Sequence, residues 1–146
     1  MSDSIIVPCA HCATLNRIPN QKRTEHPKCG SCKQAIFMVT AFDLDAAVFA
    51  KQRQGDVPLL VDVWASWCGP CRQFAPIFSE AAQQLSGRCR FAKLDSEAYP
   101  GLSAELGVRS IPSLILFRNG KEVARQSGAM PLINLLNWLK SYGVDS

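Results

Sequence analysis

The chain has 146 residues, 47% of them hydrophobic and 19% charged, with a formal net charge of +4 at neutral pH. That length and balance suit one globular domain with a small appendage and exclude a disordered or low-complexity chain. Seven cysteines are many for a reducing compartment unless they hold a metal or carry out chemistry.

The segment from Met1 to Pro8 has no basic stretch and only three apolar residues before its proline, so no signal peptide is expected. No apolar run approaches the roughly 18 residues of a membrane span, and a cytoplasmic protein without a membrane association is expected. Positive charge concentrates before residue 36, where Arg17, Lys22, Arg23, Lys28 and Lys33 face only Asp3 and Glu25. A basic appendage suits an acidic partner, but a solvated surface is the commoner outcome, and a nucleic-acid partner is not expected.

Cys9-Ala10-His11-Cys12 and Cys29-Gly30-Ser31-Cys32 form two Cys-x-x-Cys pairs separated by sixteen residues. This is the spacing of a zinc ribbon, in which two knuckles deliver four thiolates to one tetrahedral Zn²⁺. Gly30 suits the turn of a knuckle, and short strands are expected around residues 13–18. Disulfides, a second redox pair, or His11 or His26 in place of a cysteine are the competing readings. The reducing compartment and the lack of an apolar strand before either pair argue against the first two. A domain of residues 1–35 this polar would depend on its metal to fold. The ion is read as structural, with ejection by thiolate oxidation as the second role.

From residue 36 onward a larger domain is expected, running to residue 146. Ile36 to Thr40 has strand composition. Phe42 to Ala50 repeats apolar residues at helical spacing, with Asp43 placed to cap. Leu59 to Trp64 is apolar on both faces, as a central parallel strand requires. Past the next cysteines, Phe74, Ile77, Phe78, Ala81, Ala82 and Leu85 trace one helical face, kinked at Pro76 and ending near Gly87. Phe91 to Asp95 reads as a strand and Leu102 to Gly107 as a short helix. Ser113 to Phe117 and Lys121 to Gln126 are strands joined by the type I′ signal Asn119-Gly120. Met130 to Lys140 closes the chain as an amphipathic helix. The order β-α-β-α-β-α-β-β-α makes an α/β fold, a mixed sheet with helices on both faces.

Trp67-Cys68-Gly69-Pro70-Cys71 stands where the buried strand gives way to the helix. A thiol at a helix N-terminus meets free N–H groups and the positive end of the macrodipole, which favour the nucleophilic thiolate. The spacing lets Cys71 close a small disulfide ring with Cys68. Cys68 precedes the helix and is the expected nucleophile; Cys71, in the first turn, is the resolving thiol. Asp62, inside an apolar strand, is expected to carry a raised pKa, the alternative being a solvated strand-end acid. Cys89, between Arg88 and Arg90, is either a reactive thiol or a small inert hydrophobe, and the second is preferred.

Asp62-Val63-Trp64-Ala65-Ser66-Trp67-Cys68-Gly69-Pro70-Cys71, Ser110-Ile111-Pro112-Ser113 and Ser127-Gly128-Ala129 together resemble the thioredoxins, over roughly residues 36–142. With the four-cysteine appendage the chain is similar to the zinc-containing thioredoxin-2 type of bacteria. The resemblance implies a thioredoxin fold and a protein-disulfide reductase that binds no organic cofactor. Its partners would be protein disulfides and an NADPH-dependent flavoenzyme, thioredoxin reductase, and its setting redox homeostasis and the oxidative stress response. It also implies that Asp62 moves the proton of Cys71, with Lys93 beside it. Ile111-Pro112 would form a cis-proline loop offering backbone to an extended substrate. Trp67, Gly69, Pro70, Gly128 and Ala129 would complete an apolar rim. Two other functions compete: an oxidase or isomerase, against which Gly-Pro between the cysteines argues, and a zinc-dependent interaction module.

Overall fold

Leu59–Trp64 (β4) is the strand around which the domain is built, because both of its faces are apolar and both are covered. In the computed structural model, which describes residues 3–144, it pairs parallel with Arg90–Asp95 (β5) and antiparallel with Ser113–Arg118 (β6). Phe42–Asp43 (β3) adds parallel to the outer side of β5, and Lys121–Ser127 (β7) antiparallel to β6, giving the order β3-β5-β4-β6-β7. Side chains alternate across the sheet. Leu60, Phe91, Leu114 and Leu116 pack on one face against helices Gly69–Gln84 (α2) and Leu132–Ser141 (α4). Leu59, Val61, Val63, Leu94 and Ile115 pack on the other with Phe49, and with Leu102 and Leu106, which belong to and follow Pro100–Glu105 (α3). The α/β order read from the sequence is the order of the fold. Asn119 and Gly120 both take positive φ, as a type I′ turn demands.

Two expectations fail near the start of this domain. Residues 36–40 are not a strand, because their apolar side chains fasten the domain to the N-terminal segment. Ile36 accepts a hydrogen bond from Ala10 N–H, donates its own to Pro27 O, and is fully buried with Val7, Cys9 and Val57. The strand comes six residues later, in the pairing of Phe42 and Asp43 with Ala92 and Lys93. That pairing removes two residues from the expected helix, which shrinks to a 3₁₀ turn, Ala46–Val48, and the single turn Phe49–Gln52 (α1). Its cap is Asp45, whose Oδ1 accepts Ala47 N–H at 2.9 Å, rather than Asp43.

The N-terminal segment contains a two-stranded ribbon, Ser4–Pro8 (β1) against Leu15–Pro19 (β2). The first of these strands is too short, and too close to Pro8, to show in the sequence pattern. The ribbon docks where the sheet begins, against Gln52, Gly55, Asp56 and Gly87. Asp56 accepts Ile6 N–H at 2.7 Å and Arg23 donates to Gly87 O at 2.8 Å. Cys68 follows the far end of β4, a strand of six residues and about 20 Å, while the ribbon docks near its start. The expected outer limits at Met1 and Ser146 lie outside the described residues.

Candidate functional site

Strand β4 ends at Trp64, and the chain passes through buried Ala65 to Cys68, which caps α2. The Cys68 Sγ accepts Cys71 N–H at 3.2 Å, and Pro70 opens the first turn, where its missing N–H costs nothing. Cys68 and Cys71 are joined by a disulfide with Cα atoms 5.2 Å apart. Residue exposure scarcely separates them, at 4% and 2%; the polarity of the helix end does. Facing them, the Ile111-Pro112 peptide bond is cis, as the resemblance implied, and Ile111 O lies 3.8 Å from Cys68 Sγ. Trp67 is 67% exposed beside this pair, Pro70 and Ala129 are exposed, and Gly69, Ile111 and Gly128 are half-buried, while Pro112 is buried. On the Ala129 side, Phe74, Ile77, Met130 and Pro131 extend this surface into a largely apolar groove of about 360 Å³. The sequence places Phe74 and Ile77 on the core face of one helix and Met130 and Pro131 at the start of the last, which begins only at Leu132; the fold brings all four to one rim.

Asp62 lies on the α2 face of the sheet, in step with Leu60, and is fully buried. Neither of its carboxylate oxygens has a hydrogen-bond partner. Burial pushes its pKa up from 3.8 to about 7, the positive charge of Lys93 pulling partly the other way. The solvated reading of Asp62 therefore falls. Lys93 is its register partner on β5, with its ammonium 4.6 Å from the centre of the Trp64 ring. Cys89 is buried and its thiol is pushed up to about 12, since desolvation outweighs the arginines beside it. It is inert.

At the other end of the fold, the Sγ atoms of Cys9, Cys12, Cys29 and Cys32 all lie within 4.8 Å of one another. Cys9 and Cys32 are 3.7 Å apart and Cys12 and Cys29 3.6 Å. Four sulfurs about 2.3 Å from a tetrahedral zinc would be spaced about 3.8 Å apart, whereas a disulfide needs about 2.05 Å, so the set fits a metal. His11 N–H donates to Cys9 Sγ and Ser31 N–H to Cys29 Sγ, both at 3.3 Å, while the exposed His11 and His26 side chains stand outside the cluster. The tight backbone is not at Gly30, whose φ is ordinary. It is at Ala13 (φ 65°) and Lys33 (φ 67°), each following the second cysteine of its pair. Asn16, which sequence reading passed over, donates to Cys29 Sγ at 3.5 Å and accepts Gly30 N–H at 3.0 Å.

The family model described as Thioredoxin matches residues 35–141. The chain belongs to the thioredoxin family. A second family model, described as Thioredoxin 2, N-terminal, matches residues 8–34 and covers all four ribbon cysteines. Thioredoxin C-3 of Corynebacterium nephridii is 44% identical over 136 residues, covering 92% of this chain and 93% of its own length. Thioredoxin of Haemophilus influenzae is 41% identical over 87 residues, 60% of this chain and 81% of that protein. A Malassezia sympodialis thioredoxin structure superposes with a TM-score of 0.66 at 24% identity, over 72% of this chain and 92% of that one, and shares the fold. This thioredoxin is a thiol–disulfide oxidoreductase with its redox-active cysteine pair at Cys68 and Cys71, preceded by a zinc-ribbon domain. Among the described residues, no helix is long and apolar enough to cross a membrane.

Proposed function

We propose that Cys68 attacks protein disulfides and Cys71 resolves the intermediate, with Asp62 as the proton acceptor. The observation that carries this reading is the Cys68–Cys71 pair capping α2 beside the exposed Trp67. The Cys68 thiolate forms a bond to one substrate sulfur as the substrate S–S bond breaks, and the other substrate sulfur leaves as a thiolate. Cys71 gives its proton to Asp62 and attacks the Cys68 sulfur, releasing the second substrate thiolate. Two electrons pass to the substrate and the Cys68–Cys71 disulfide remains. The second attack is intramolecular and gains a large effective-molarity advantage. A carboxyl with a pKa of about 7 suits the transfer, since it both holds and releases a proton near neutrality. Lys93 tunes that carboxyl through its charge.

The backbone of Ile111, before Pro112, pairs with an extended substrate segment. Trp67, Gly69, Pro70, Gly128 and Ala129 form the apolar surface against which that segment lies. A flavoenzyme of the thioredoxin reductase class returns the electrons from NADPH, and the protein works in the cytoplasm. The chain divides near residue 35 into a metal domain (1–35) and a redox domain (36–146). Cys9, Cys12, Cys29 and Cys32 would hold one Zn²⁺, which supplies cross-linking of the ribbon and takes no part in electron transfer.

The test is reduction of insulin disulfides by the protein with a thioredoxin reductase and NADPH. Cys68→Ser abolishes turnover, whereas Cys9→Ser keeps it while losing metal. Turnover retained in Cys68→Ser would overturn the assignment, and turnover lost only with the metal would favour an interaction module built on the ribbon.

A further inference from the structure

Arg90 opens β5 in the floor of the redox domain and is only 3% exposed. Its guanidinium is held by Gln52 of α1, which in turn reaches the ribbon. Its Nη1 donates to Gln52 O at 2.7 Å and its Nη2 to Gln52 Oε1. Gln52, equally buried at the end of α1, donates its own Nε2–H to Cys9 O at 3.0 Å. The guanidinium carbon lies 5.3 Å from the centre of the Phe42 ring, and Nε has no partner. Burial lowers the Arg90 pKa to about 10, so the group remains charged at neutral pH. Among the described residues the one ion pair is Arg125–Glu122, and no carboxylate lies within 4 Å of Arg90.

A buried cation without a counter-charge is costly, and arginine cannot escape the cost by giving up its proton. The hydrogen-bond chain ends on a residue of the four-cysteine set. Four thiolates around one Zn²⁺ carry a net double negative charge.

We propose that Arg90 is the buried counter-charge of the zinc–thiolate cluster, held in place by Gln52, so that the metal site and the floor of the redox domain form one electrostatic unit. This rests on the zinc reading of Cys9, Cys12, Cys29 and Cys32. Arg90 and Gln52 are positioning residues: neither touches the metal, and both act through Cys9. The redox domain thereby contributes to metal affinity. In the zinc-free protein Arg90 is left without its counter-charge.

The experiment uses the full chain, with zinc affinity measured by chelator competition and unfolding by urea with and without zinc. Partners outside the ligand shell are worth about 10–100-fold in metal affinity, and Arg90→Met is expected to weaken zinc by that factor. Arg90→Lys, which keeps the charge, restores most of it. Gln52→Glu sets a carboxylate against Arg90, neutralising it locally, and removes the donor to Cys9 O, so it too weakens zinc; it carries the test should Arg90→Met not fold. Arg90→Met lowers stability with zinc bound more than without it, a dependence that simple loss of packing does not produce. Folded Met and Glu variants that bind zinc within about twofold of wild type would overturn the proposal. A wild-type chain that binds no zinc would instead overturn the zinc reading beneath it.

Discussion

Replacing Asp62 by asparagine should make the oxidised protein more stable at pH 8 and little changed at pH 4. Asp62 is fully buried, with neither oxygen hydrogen-bonded, and its pKa rises from 3.8 to about 7. Between these values the folded chain holds a proton that the unfolded chain has released, so stability falls as pH rises from about 4 to about 7 and levels off above. At about 1.4 kcal/mol for each tenfold change in acidity, the shift costs about 4 kcal/mol when the carboxyl is fully ionised. Asparagine keeps the shape and removes the charge, but leaves a buried amide that costs about 1–3 kcal/mol if unpaired. The net gain at pH 8 is therefore about 1–3 kcal/mol, and near pH 4, where both side chains are neutral in the fold, it vanishes or reverses. Urea unfolding of wild type and Asp62→Asn at half-unit steps from pH 4 to 8.5 reads the difference directly. Two parallel stability curves across that range would refute the reasoning, because they would mean that Asp62 titrates alike in the folded and unfolded chains. The same substitution should slow resolution of the mixed disulfide, and unchanged turnover across pH would remove Asp62 from the mechanism.

Cys71→Ser should accumulate a covalent adduct with a disulfide-bonded substrate protein, seen on a non-reducing gel, because Cys68 can attack but nothing resolves; an adduct that forms with Cys68→Ser instead would reverse the two roles. Cys29→Ser should abolish zinc binding and expose the ribbon amides to hydrogen exchange while those of β4 and β5 stay protected. Gly87→Ala should destabilise the protein by about 1–3 kcal/mol, since its φ is +83° and a Cβ there would sit 2.5 Å from Arg23 O. Gly101→Ala, with ordinary φ and nothing within 4 Å, is the matched control and should be neutral or slightly stabilising in urea.

The redox domain was legible in the sequence wherever a pattern ran long enough to show its period. Leu59 to Trp64 declared a strand with two buried faces, and the stripe from Phe74 to Leu85 declared the helix on which Cys71 sits. The stretch from Ile36 to Ala50 misled because its apolar residues serve two masters. Ile36 is buried in the ribbon and Met38 packs on the redox domain, so their composition reflects an interface and not a strand. The four-cysteine cluster was legible by spacing alone. Gln52, Arg90 and Asn16 were not, since a single polar residue gives no sign of burial until tertiary packing supplies its partners.

Cys-x-x-Cys occurs three times in this chain, and the residue that follows the second cysteine separates its two uses. After Cys71 the backbone continues as a helix at Arg72, whose N–H bonds to Cys68 O. The two sulfurs of that pair stay on one helical end and close on each other. After Cys12 and Cys32 the backbone turns left-handed at Ala13 and Lys33, whose N–H groups bond back to Cys9 O and Cys29 O. A chain that turns so sharply cannot extend into a helix, and each pair faces the other instead: Cys9 meets Cys32 and Cys12 meets Cys29. The left-handed conformation costs about 1–2 kcal/mol at a residue that is not glycine. At Ala13 and Lys33 that cost is offset by bringing four sulfurs into a set that fits a metal, whereas the helix-capping pair keeps its sulfurs on one helical end, where they close on each other and exchange electrons.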